Sequence, residues 1–238
     1  MPMLPAAGPG LPAIEITLRR SARARRFSLR VSRLDGRVTL SVPLRAREAE
    51  ALAFAHAQEA WLRRALAAVP QVAAIRWGAA FPLEGRLLQL APGAGRAIRV
   101  EGDSLLVPGD AAQLPRRLAA FVKLRARDRL AAACDRYAAA LGRRYSSLAL
   151  RDTRSRWGSC THDGRLMFSW RLILAPPPVL DYVAAHEVAH LAQMNHSPAF
   201  WAEVARLMPD YEPHRRWLKA EGQALHAWRF EAAEDDSR

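Results

Sequence analysis

The apolar positions change their spacing along the chain. Ile14 to Leu18 and Phe27 to Val31 alternate as half-buried strands do. Val38 to Val42 alternates again after Leu34-Asp35-Gly36, and Asp-Gly between alternating runs signals a hairpin. Arg45 to Val69 then reads as a helix. Phe54, Trp61, Leu62, Ala65, Leu66 and Val69 share one broad face, and Pro70 closes it. Short strands resume over Leu83 to Leu90, Ala97 to Val100 and Ser104 to Val107, the last two flanking a Glu101-Gly102-Asp103 turn. Leu114 to Leu141 reads as one long helix capped by Gly142.

Beyond residue 147 the pattern becomes mostly helical. Leu148 to Arg151 and Leu166 to Leu174 read as strands, with Thr161-His162-Asp163-Gly164 turning between them. Pro176-Pro177-Pro178 stops the second strand and a helix follows to about Gln193. Ser197-Pro198 restarts a helix, with Ser as N-cap and Pro at the first position, and Pro209 ends it. A short helix from Pro213 to His226 comes last. Strands first and helices later predict an α+β fold. The expected organisation is a flexible leader over 1–12, one domain over 13–228 and an acidic tail over 229–238. Within the domain, 13–110 is β-rich and 111–228 is the helical part.

Composition narrows the classes. No run approaches ~20 apolar residues, so no membrane span is expected. The first residues lack the basic and apolar regions of a secretory signal. The two cysteines, Cys134 and Cys160, suggest no disulfide framework, and a reducing cytoplasm is the expected compartment. The net charge of +13 is uneven. Residues 1–150 hold 25 Lys and Arg against 11 Asp and Glu, whereas residues 151–238 hold 11 against 12. Of the basic residues only Lys123 and Lys219 are lysines, a bias that a GC-rich coding sequence or a surface for a polyanion would each produce. The Arg19 to Arg26 run, if it alternates along a strand, presents a basic face for phosphates.

The candidate chemistry lies in His186-Glu187-Val188-Ala189-His190. Residues four apart share a helix face, so both imidazoles can point at one ion. Glu187 projects near the same edge and suits a carboxylate that handles a water without ligating. A catalytic zinc needs three protein ligands and one open position. On an unbroken helix His196 would point about 120° away from His190. A reversal at Met194-Asn195, where Asn tolerates a left-handed backbone, would swing His196 back. Glu203, Glu212 and His214 are rival third ligands. The strand expected over 166–174 could offer a sheet edge to an extended peptide, or its apolar run could mark an ordinary buried strand. Asp181 could orient a ligand or serve the helix N-terminal dipole, Tyr211 and His214 could stabilise an oxyanion or simply form a helix-terminal turn, and Cys160 reads as a small buried core residue rather than a thiolate near the metal. Trp157 and Trp170 read as packing residues.

Several of these segments together resemble one family. Arg156-Trp157-Gly158-Ser159-Cys160, Asp181-Tyr182-Val183 leading into the HExxH segment, Asn195-His196-Ser197 and Phe200-Trp201 are similar to the YgjP-like metallopeptidases, relatives of the SprT-like zinc proteases. Arg26 to Val31 and the strand from Val38 to Pro43 share the likeness, which runs over about residues 15 to 222. Val188 departs mildly, where Leu is more usual. The resemblance implies one zinc held by His186, His190 and His196, Glu187 as general base, and a zincin-type, gluzincin-like helical core beside a small sheet. It implies a peptide or protein substrate without naming it. The alternatives are a nucleic-acid-associated, SprT-like protease and a polyanion-binding module whose zinc is structural.

Overall fold

The computed structural model describes residues 3–4, 12–32, 35–69 and 73–230. Most of the expected leader, Leu34 of the expected turn, Pro70 and the tail from 231 onward lie outside the described residues. No described helix is long and apolar enough to cross a membrane. The chain divides into two compact units, Met1–Gln71 and Val72–Arg238.

In the first unit, β1 (Met3–Leu4), β2 (Ile14–Ser21), β3 (Ser28–Val31) and β4 (Val38–Pro43) form a sheet in the order β1-β2-β4-β3. β2 runs parallel to β4, while β3 and β4 make the antiparallel hairpin expected from the alternation. The alternation has a physical outcome: Ile14, Ile16, Val38, Leu40 and Val42 are buried on one face. Two helices supply the rest of that core through Ala51, Ala55 and Leu62. They are α1 (Glu48–Ala57) and α2 (Glu59–Ala67), broken at Gln58, where one helix was expected. The Arg19 to Arg26 run is not one alternating strand face. β2 ends at Ser21, Arg20 donates to the carbonyls of Leu44 and Ala46, and Arg23, Arg25 and Arg26 follow in a loop.

In the second unit, β5 (Ala73–Ala74) pairs with a strand near the end of the chain, described below. β6 (Ala80–Leu83), β7 (Arg86–Gly93), β8 (Arg99–Glu101) and β9 (Ser104–Pro108) form a sheet in the order β6-β7-β9-β8. The expected single strand over 83–90 is a tight hairpin, because Glu84 and Gly85 both take positive φ, 50° and 76°. A left-handed Glu is uncommon. It is held by Arg125 at 2.6 Å and Arg129 at 2.5 Å, and its N–H donates to the Ile173 carbonyl at 2.8 Å.

The helix α3 (Leu114–Leu141) organises this unit. It buries Leu114, Leu118, Val122, Ala126, Leu130, Ala133, Cys134, Tyr137 and Ala138, a stripe spaced by three or four residues. Gly142 caps it at φ 69°, as expected. A second sheet follows, with β10 (Ser147–Arg151), β11 (Gly158–Cys160) and β12 (Arg165–Ser169) in the order β10-β12-β11. The strand expected to continue to Leu174 stops at Ser169, and Trp170–Leu174 forms a buried 3₁₀ turn. The remaining helices are α4 (Pro177–Ala189), α5 (Pro198–Leu207) and α6 (Tyr211–Glu221). A 3₁₀ turn over Gly222–His226 leads to β13 (Trp228–Arg229), which pairs in parallel with β5. The architecture is mixed α+β, with six described helices and several small sheets.

Arg171 ties the end of the chain to this core. Its buried guanidinium forks onto both oxygens of Asp152 at 2.6 and 3.0 Å. It also donates to the carbonyls of Leu225 and Trp228. Burial would raise the Asp152 carboxyl, but the hydrogen bonds and charge of Arg171 outweigh it, and the group sits below the usual aspartate value.

Candidate metal centre

Pro177 and Pro178 open α4, where no N–H is needed, and nearly every later position is apolar. Such a helix is driven inside. It packs on α3, α5, α6 and β11, and it carries His186 and Glu187 into the interior with it. His190 is its C-cap.

The chain then tightens and reverses. Leu191 and Ala192 close 3₁₀-type bonds to Val188 and Ala189, and the Asn195 carboxamide accepts the Ser197 N–H at 3.1 Å. Asn195 is not left-handed, contrary to expectation; among described non-glycine residues only Glu84 has positive φ. The side chain of Asn195 makes the turn, rather than its backbone. Ser197 caps α5 through Phe200 N–H, with Pro198 at the first helical position.

This reversal brings His196 to His186, with their Nε2 atoms 3.1 Å apart. One ring nitrogen from each of His186, His190 and His196 lies within 4.8 Å of the others. Two imidazoles bound to one tetrahedral zinc at ~2.0–2.1 Å would hold their nitrogens about 3.4 Å apart, so the set fits a shared cation. The His190 Nδ1–H donates to the Gln193 carbonyl at 2.9 Å, which leaves Nε2 as the lone-pair nitrogen. His186 has no such partner for its buried Nδ1 and is oriented by packing. Phe200, itself fully buried, lies behind all three rings, with centroids 4.4 Å from His190, 4.8 Å from His196 and 4.9 Å from His186. Burial, and then the neighbouring imidazoles, push His186 down to about 3; burial also lowers His190. Both are therefore neutral near pH 7, the form that ligates a metal.

Glu187 is buried beside these rings. Desolvation pushes its carboxyl up to about 8, and the charge of Arg156 pulls in the opposite direction. A divalent cation next to it would favour the carboxylate. The edge strand β11 passes directly over this group: a Cβ on Gly158 would lie 2.6 Å from Glu187 Cγ and Oε1. Only glycine admits the carboxylate there. The sheet edge beside the site is thus β11, whereas the segment expected to offer it forms the central strand β12 and a buried turn.

The other sequence candidates fall elsewhere or in lesser positions. Glu203 is paired with Arg206 at 2.8 Å, and Glu212 is exposed in the first turn of α6. His214 faces Asp210 at 3.6 Å. Asp181 is bound by Arg136 at 2.9 Å. Cys160 is half-buried near Glu187, and burial pushes its thiol up to about 11, which keeps it protonated rather than a thiolate ligand. Trp157 stacks on His226 at 4.9 Å, and Trp170 packs on Phe230. Tyr211 does lie close. It stacks on Tyr182 and Trp201, and Trp201 is 5.7 Å from His186. The sequence held no sign of Arg215, which lies 4.3 Å over the Trp201 ring and bears electrostatically on His186. Nor did it reveal the role of Gly158, whose signal was only its place in the Trp157 to Cys160 segment.

No curated protein matches this chain. Among solved structures, the crystal structure of the metallopeptidase zymogen of Pyrococcus abyssi abylysin is 20% identical. The match covers 40% of this chain and 93% of that one, with a TM-score of 0.33, and it carries no weight for the fold. The family model of the YgjP-like metallopeptidase domain matches residues 25–221, most of both units. The chain belongs to the YgjP-like metallopeptidase family.

Proposed function

We propose that the chain is a zinc-dependent peptidase in which His186, His190 and His196 hold one ion and Glu187 is the general base. The carrying observation is the convergence of three imidazoles with a buried carboxylate beside them and, among the described residues, no fourth protein ligand in the group. A closed structural site would want four. Bound zinc would supply Lewis acidity, acidifying a water and polarising the peptide carbonyl.

The residues of the chain do the rest. Glu187 takes a proton from the attacking water as its oxygen bonds to the carbonyl carbon. It returns the proton to the amide nitrogen as the C–N bond breaks. A carboxyl whose burial raises its proton affinity suits both halves of that transfer. The free edge of β11 offers main-chain groups to an extended substrate alongside Glu187. Both cysteines are free, which suits a reducing cytoplasm. The core around α4 is read as zincin-like.

Metal content and casein hydrolysis of the wild type and Glu187→Gln test this reading. The variant should retain zinc and lose turnover. Full hydrolysis by metal-loaded Glu187→Gln would sink the assignment, and a chelator-free preparation without zinc would sink the metal. A second reading, a polyanion-binding role alone or joined to proteolysis, is favoured by one observation. Arg19 and Arg30 stand exposed at alternate positions from the buried residues of the first unit's sheet. DNA binding whose affinity falls steeply with salt would support it.

A further inference from the structure

The end of α3, the β11–β12 turn and the segment after α4 enclose a crevice of about 550 Å³ that opens beside His190. Its lining includes Arg143, Arg144 and His162 together with His190 and Met194, which is 49% exposed. The walls are fixed by the Arg143 N–H on the Ala138 carbonyl at 3.0 Å and the Ser146 N–H on the Gly164 carbonyl at 2.9 Å.

The charges of this crevice are unbalanced. Its acid, Asp163, is already neutralised, bound by Arg165 at 2.6 Å and Thr161 at 2.5 Å, which holds its carboxyl down at about 2. Arg143 and Arg144 are exposed and form no ion pair among the described residues. The same holds on the other sides of the site. Arg156 bears on Glu187, and Arg215 lies over Trp201, neither in an ion pair within 4.0 Å among the described residues. Cations with unused donors beside a cleavage site complement carboxylates of the substrate.

We propose that the crevice beside His190 is a subsite for acidic side chains, so that the peptide substrate carries Asp or Glu next to the scissile bond. The proposal rests on the peptidase reading above. The crevice is half open, and the apolar part of its lining, Leu191 and Met194, suits the stem of a Glu better than a run of phosphates.

The test is fluorescence anisotropy with zinc-loaded, full-length Glu187→Gln. The probes are a labelled alanine-rich peptide with two adjacent glutamates and its twin with lysines. The glutamate probe should bind more tightly, and about 1 M salt should erase the difference. Arg143→Ala and Arg144→Ala should each weaken it, by at most about fivefold, the upper end for solvent-exposed ion pairs. Reversing both charges, Arg143→Glu with Arg144→Glu, should invert the order of the two probes, which a structural role would not do. Equal affinity for both probes, or an order indifferent to reversal, overturns the subsite. Displacement by oligodeoxythymidine at lower concentration than by the unlabelled glutamate peptide also overturns it, in favour of nucleic acid. Because binding is read without turnover, a wild type that hydrolyses casein but shows no charge preference sinks the subsite alone. A wild type that never hydrolyses peptides sinks the peptidase reading.

Discussion

Gly158 and Glu187 touch so closely that any side chain at 158 would occupy the space of the carboxylate. The strand edge and the general base of the proposed site are therefore one mechanical unit. Gly158→Ala is expected to displace Glu187 while leaving the three histidines in place. Activity should fall about 100-fold, the scale of a misplacement near 1 Å, with zinc content unchanged. Steady-state kinetics and metal analysis on the same preparation check this. Loss of zinc along with activity would contradict it.

Phe200 supports all three imidazoles at once. Phe200→Ala should cost about 3–5 kcal/mol of stability, as large-to-small changes at fully buried positions do. Phe200→Leu should fold and bind zinc roughly 10-fold more weakly, because ligand orientation is lost before packing is. Denaturant unfolding and competition with a zinc chelator separate the two effects.

Zinc should stabilise the fold by mass action, by about 2.7 kcal/mol at a concentration 100 times Kd. His196 is exposed and packs little of the core, so His196→Ala should leave the metal-free melting temperature nearly unchanged. The rise on adding zinc should disappear. Thermal unfolding with and without zinc reads both quantities.

The Arg171–Asp152 clamp sets an acid limit. The Asp152 carboxyl lies below its ordinary value because the charge of Arg171 overcomes the effect of burial. Its contribution is therefore fully present above the unfolded value of about 3.9 and is lost as pH falls through the lower folded value. Arg171→Ala should cost about 3 kcal/mol near neutrality, the low end for a broken buried pair, since Asp152 itself reaches water. In that variant the loss of stability below pH ~4 should flatten. Urea unfolding across pH 3 to 7 would show it.

Much of the site was legible because it is local. His186, Glu187 and His190 follow from helical spacing, and Ser197-Pro198 announces a helix start that the structure places at Pro198. The break between them was also legible in outcome, though its agent was not. Asn195 turns the chain with its carboxamide, and a left-handed backbone was one of two ways to satisfy the same need. The hairpin at Glu84-Gly85 was illegible for a similar reason. Glu rarely takes positive φ, and what permits it here is a pair of arginines more than forty residues away on α3.

The sequence alone determined which residues are chemically able to hold a metal and move a proton, since spacing along a helix is a property of neighbours in the chain. It also determined the alternation that buries Ile14, Ile16, Val38, Leu40 and Val42. Tertiary structure decided the rest. It decided that β11, not the more apolar β12, forms the sheet edge beside Glu187, because the most apolar strand takes the centre of a sheet where both its neighbours cover it. It decided that Glu187 loses its water, and that Arg143 and Arg144 open onto a crevice shared with His190. Desolvation and long-range charge depend on which segments pack together, and no window of the sequence contains them.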